Sequence, residues 1–138
     1  MSVQFFPLEG CRESATEMQT VLASSVLHLF QDSLDPDPST PLADYTAAEA
    51  DFTGYAAETL TAWNTPILAP GTGYMIGSPL VQFEVGAAPS VTNVINGCYL
   101  VDAAGDLRMV VIFTSPIPMQ LDGQGLPINL VWLFPTGL

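Results

Sequence analysis

The stretch "GCYLVDAAGDLRMVVIF", residues 97–113, decides the fold. Its two ends, "CYLV" and "LRMVVIF", are rich in aliphatic, β-branched and aromatic residues. The "DAAGD" between them has turn composition, with a glycine where a tight turn needs one. Two apolar runs so joined predict an antiparallel hairpin, with strands over about residues 95–102 and 107–114. The stretch also carries Arg108, one of only two arginines in a chain that has no lysine.

That shortage of cations runs through the whole sequence. The chain has 138 residues, enough for one domain with its own core. Hydrophobic residues make up 49% and charged residues 12%, about half the roughly 25% of an average soluble domain. Fourteen acids against two bases give a formal net charge of -12. Such a field repels phosphate backbones and anionic lipid, so nucleic-acid and membrane-surface partners are excluded. Self-repulsion keeps the chain in solution. Few charges among many apolar residues point to a surface partly covered by other subunits, because interface cores are depleted of charge.

The N-terminal "MSVQFFPLEGCRES" lacks the basic and apolar regions of a secretory signal, so synthesis in a reducing cytoplasm is expected. Cys11 and Cys98 then read as buried thiols rather than a disulfide. No apolar run approaches the length of a membrane span; "MVVIF" at 109–113 is far too short.

Outward from the hairpin, residues 1–12 read as an apolar N-terminal arm, with Phe5, Phe6, Pro7 and Leu8 as candidate subunit-interface residues. "SATE" at 14–17 has capping-box form, and Ala15, Met18, Leu22, Ser25, Val26 and Leu29 follow at helical spacing, which predicts a helix over 13–31. His28 then falls at the end or surface of that helix. The acidic, proline-rich "DSLDPDPSTP" makes 32–45 an extended loop. Its Asp32, Asp35 and Asp37 do not form an EF-hand: Thr46 stands where the loop's closing glutamate would be. "TAAE" at 46–49 offers a second capping box for a short helical turn. From there to residue 138 the pattern is β. Strands are predicted over 55–63, "GYMIG", "LVQFEV", the hairpin and "INLVWLF" at 128–134. "SPIPMQLDGQGLP", at 115–127, reads as a loop. No crossover-length helix separates the later strands, which excludes parallel βαβ winding. The fold class is therefore mainly β with one N-terminal helix: an antiparallel β-sandwich or small barrel with the helix packed against it.

No catalytic pattern emerges. The single histidine has no nucleophile, lysine or metal-ligand companion at a useful spacing. "GTG" at 71–73 lacks the following helix of a phosphate-binding loop. The acids lie in turns and helix ends, as Asp102, Asp106 and Asp122 do, or on the solvent side of strands, as Glu58 and Glu84 do. Arg108 is expected to pair with Asp106 or Asp102 across the hairpin mouth. Tyr55, Trp63, Tyr74, Tyr99 and Trp132 could stack on sugars, but each sits in a strand pattern and reads as core. No cofactor and no metal are expected.

The phrases "LADYTAAEADFTGYAAETLTAW", "GCYLVDAAGDLRMVVIF" and "SPIPMQLDGQGLPINLVWLF" resemble a family of small virion-associated structural proteins of tailed bacteriophages. The N-terminal arm departs from that pattern. The resemblance implies a non-enzymatic structural role and brings no catalytic residues. It implies location in the virion, with the major capsid protein as partner and a homo-oligomeric state. An acidic chain avoids the genome-filled lumen, so the outer capsid surface, as a decoration or cement protein, is the leading expectation. A tail, baseplate or fibre component, with host-glycan binding as an extra role, is the alternative.

Overall fold

In the computed structural model, which describes residues 8–69 and 73–135, the hairpin of the opening stretch forms the spine of the molecule. Its strands, β6 (Asn93–Val101) and β7 (Leu107–Met119), pair antiparallel, with Tyr99 opposite Val110 and Leu100 opposite Met109. The turn is sealed by Asp102. Its carboxylate accepts the backbone N–H groups of Ala104 and Asp106, both at 2.9 Å, and Arg108 Nε at 2.6 Å. The expected ion pair is therefore present, and its acid is buried rather than simply turn-exposed.

The chain is mainly β, with antiparallel sheets and an N-terminal helix. Before the hairpin come α1 (Leu8–Val21), β1 (Ser25–Gln31), α2 (Leu42–Ala47), β2 (Glu58–Leu60), β3 (Ile67–Ala69), β4 (Gly73–Gly77) and β5 (Val81–Glu84). After it come β8 (Gly125–Ile128) and β9 (Val131–Pro135). A four-stranded sheet has the order β2-β1-β6-β7, a three-stranded sheet β3-β4-β9, and a two-stranded sheet β5-β8. One core joins them. Leu27, Leu29, Ile95, Cys98 and Leu100 of the four-stranded sheet meet Ile76, Phe83, Leu126 and Ile128 of the other two, with Ala15 and Leu22 closing the α1 side. This is sandwich-like layering with the helix packed on it.

Several sequence expectations change. The loop expected over 32–45 gives way at Leu42 to α2, so "TAAE" at 46–49 lies at the end of a helix and does not start one. The helix predicted over 13–31 is two elements: α1 starts earlier, at Leu8, and ends by Val21, and residues 25–31 are strand β1. Leu22, Val26 and Leu29 fit a helical stripe, but Val26, Leu27, Leu29 and Phe30 of "SVLHLFQ" stand at spacings of one to four, which suit either period. Such a run also suits a central strand buried on both faces, and β1 lies between β2 and β6. Ser24, at φ 61, makes the break. "SATE" accordingly lies inside α1 and caps nothing.

The strand predicted over 55–63 shrinks to Glu58–Leu60. Tyr55 turns inward instead, its hydroxyl accepting the N–H of Leu29 at 3.1 Å beyond the end of the β1–β2 ladder. "SPIPM" at 115–119 is strand rather than loop. β7 is an edge strand, where proline removes no ladder bond that the sheet needs. Finally, "INLVWLF" is divided between β8 and β9.

Gly97 shows how tightly the spine is built. A Cβ there would lie 2.1 Å from the Val111 carbonyl oxygen and 2.7 Å from the Phe30 ring. The register of β6 against β7 shifts at this point, and residues 113–116 of β7 bow away from the ladder.

Candidate assembly surface

The four-stranded sheet is covered on both faces. Its inner face meets the main core. Its outer face carries Phe30, Tyr99 and Val110, over which the acidic loop and α2 lay Leu34, Leu42, Tyr45 and Ala48. Tyr45 meets Phe30 edge-on with ring centroids 5.4 Å apart, and Tyr99 at 5.3 Å. A polar pin holds this cover down. Glu49 Oε1 lies 2.5 Å from His28 Nδ1 and accepts the Tyr99 hydroxyl at 3.0 Å, and the His28 ring stacks on Tyr99 at 4.7 Å. Burial, with the Glu49 carboxylate adding to it, pushes the Tyr99 phenol above its ordinary range. His28 is thus a strand residue fastening a loop segment, not a helix-end residue. Asn93 fastens the same segment lower down, accepting from the N–H groups of Asp51 and Phe52 at 2.7 and 2.8 Å.

The three-stranded sheet is different. Its inner face bears Tyr74, Ile76, Trp132 and Phe134, which pack on the core beside α1. Registered pairing sets Ile67 opposite Met75 and Met75 opposite Leu133, so these three line up across the outer face, with Val131 two residues along the same side. Ile67 is 45% exposed, Leu133 45% and Val131 56%. No charged residue occurs anywhere in β3, β4 or β9. The sheet comes from two charge-free stretches of the chain, 59–83 and 123–138. That charge gap was the one sequence signal for this surface, and reading residues singly passes over it. Gly73, at φ +131, lets β4 run against β9 where a Cβ would strike the Phe134 carbonyl.

Of the interface residues expected from sequence, Leu8 is the first residue of α1 and is 49% exposed. Phe5, Phe6 and Pro7 lie outside the described residues. α1 reaches β9 through Cys11, whose thiol donates to the Pro135 carbonyl at 3.4 Å. Cys98 is an unbridged thiol in the core, and burial pushes its pKa up to about 12. The five aromatic residues considered for sugar stacking all pack on the core: Trp63 and Tyr99 are buried, and Tyr55, Tyr74 and Trp132 are partly buried against it. Glu84 is solvent-exposed as expected, and Glu58 is half-buried.

A shallow groove beside β7 is lined by Pro36, Asp37, Pro38, Thr40, Tyr45, Leu107, Val110 and Ile112, with mostly apolar walls. Among the described residues no group of three or more His, Cys, Asp or Glu could hold a metal ion. No described helix is long and apolar enough to cross a membrane. What the described surface offers chemically is contact: an uncharged, apolar sheet face on a strongly acidic molecule. Compared with family models, with curated proteins and with solved structures, the chain matches none.

Proposed function

We propose that this chain is a non-enzymatic structural subunit of a tailed-phage virion, working on the outer capsid surface as a decoration or cement protein. The observation that carries this reading is the outer face of β3-β4-β9, where Ile67, Met75, Val131 and Leu133 stand together without a charge. Exposed apolar faces of this kind mark contact sites. The resemblance of residues 42–63, 97–113 and 115–134 to small virion-associated proteins narrows the contact to a phage particle.

Size narrows it further. Three strands about 4.8 Å apart, two of five residues and one of three at about 3.3 Å per residue, cover roughly 200 Å². A stable pairwise interface buries about 800 Å² per partner. A small sticky face therefore suits a protein held by several weak contacts at once, as in a shell. The acidic remainder, at a net charge of -12, favours the outside of the particle over the phosphate-filled lumen.

The test is co-sedimentation of the purified protein with undecorated capsids and, separately, with tails of the phage that encodes it. Binding to capsids, lost in Ile67→Lys, is the expected result. Tail binding without capsid binding moves the chain to the tail, baseplate or fibre. Turnover of a capsular polysaccharide would overturn the structural reading altogether.

A further inference from the structure

Every sheet has two edges, and most of those in this molecule are blunted against pairing with another chain. β2 and β3 are only three residues long; β2 carries Glu58, and β3 is bounded in sequence by Pro66 and Pro70. β7 carries Arg108, Pro116 and Pro118, β5 ends in Glu84, and β8 contains Pro127. Short length, charge and proline are the usual protections of an edge strand. β9, "VWLFP", has five residues, no charge, and no proline before its last position.

The backbone direction of β9 can be read from its hydrogen bonds. Leu130, just before the strand, points toward β4: its carbonyl accepts the Ser78 N–H and its N–H donates to Ser78 Oγ, both at 2.8 Å. Gly77 points the other way, exchanging bonds with Asn64 at 2.7 and 3.1 Å. Alternation along an antiparallel ladder then turns Trp132 and Phe134 toward β4 and Val131, Leu133 and Pro135 outward. The outward carbonyl of Pro135 is engaged by the Cys11 thiol. The outward N–H and C=O groups of Val131 and Leu133 have no partner among the described residues.

We propose that β9 pairs antiparallel with β9 of a second copy, about a two-fold axis through Trp132, making one continuous sheet from the two three-stranded sheets. This rests on the assembly reading above and names the element and partner. In that register Val131 of one copy faces Leu133 of the other and they exchange both backbone bonds, so every open group of the two residues is used. Pro135, which lacks an N–H, falls outside the paired region. On the outer face the exposed Val131 and Leu133 side chains become cross-strand apolar pairs, prolonging the Ile67–Met75–Leu133 row. A second copy is the occupant because the contact is self-complementary. Two molecules at a net charge of -12 can also approach closely only along an uncharged strand. The contact is small, so the isolated pair is weak and is reinforced in a shell.

Sedimentation equilibrium of the full chain up to about 1 mM, the range of weak pairwise contacts, tests this. The expected result is a reversible dimer of the 14.7 kDa chain. V131K/L133K sets lysines opposite each other and should raise the dissociation constant roughly tenfold or more, with circular dichroism unchanged. V131K/L133E sets lysine opposite glutamate and should restore pairing. I67K, on the same face but at the far strand, should leave the dimer intact. A monomer at all concentrations overturns the proposal, as does a dimer indifferent to V131K/L133K. Loss in I67K as well assigns the contact to stacking of faces, and V131K/L133E failing where V131K/L133K fails refutes the register. Capsid binding is scored separately on the same variants. A dimer without capsid binding defeats the virion reading alone, and capsid binding by a strict monomer defeats this one alone.

Discussion

The four-stranded and three-stranded sheets are both rich in apolar residues and end in opposite surroundings. The first is roofed by the chain's own acidic loop and α2, pinned through Glu49 to His28 and Tyr99. The second packs against α1 and leaves Ile67, Val131 and Leu133 about half exposed on its outer face. The roof satisfies the first sheet within one molecule. The second is left to be satisfied by contact with others, and the absence of charge from its strands keeps desolvation cheap there.

The largest test of this contrast is truncation. Phe30→Ala, beneath the roof, should cost about 3–5 kcal/mol, measured by urea unfolding. Ile67→Ala on the open face should change the stability of the monomer by about 0.5 kcal/mol or less. Equal losses would mean that the open face is core and would remove the contrast. Next in size, Gly97→Ala drives a Cβ against the Val111 carbonyl and the Phe30 ring, and overpacking of this kind costs about 1–3 kcal/mol. The same change at Gly10, where nothing lies within 4 Å, should be tolerated.

Asp102 sharpens the comparison through pH. The N–H groups of Asp106 and Ala104, together with the Arg108 guanidinium, hold its carboxyl below the ordinary 3.8. A carboxyl depressed on folding stabilises the protein at pH values above its unfolded pKa. That stabilisation disappears as pH falls through the lower, folded pKa. Melting temperature followed from pH 7 downward should therefore drop in the acid range. Asp102→Asn should melt lower at pH 7 and show a shallower acid decline, and parallel curves would remove Asp102 from the account. The smallest effect concerns Cys98. Its thiol should stay unmodified by a thiol reagent at neutral pH until the protein unfolds, because burial disfavours the thiolate.

Much of this molecule was legible in its sequence wherever the local pattern admitted one answer. The hairpin, "GYMIG" and "LVQFEV" were strands, and an ion pair of Arg108 with Asp106 or Asp102 followed from spacing across a turn, the structure setting Asp102 nearest. The run at 25–31 was not legible, because its Val26, Leu27, Leu29 and Phe30 fit helix and strand alike and only pairing with β6 chose between them. Pro116 and Pro118 argued for a loop until β7 proved to be an edge. Of the candidate interface, Leu8 is exposed on α1, whereas the open sheet face went unread. It is assembled from β3 and β4 together with β9, more than fifty residues further along, and only the register that sets Met75 between Ile67 and Leu133 makes them one surface.

Composition by itself determined the acidic, cation-poor character of the chain, and alternation and turn chemistry determined that it would be mainly β with antiparallel strands. Those are local and summed properties, which a sequence carries openly. Which sheet would be roofed and which left bare was decided only by the tertiary structure. A side chain's exposure depends on what distant segments are folded over it, and no residue encodes that alone.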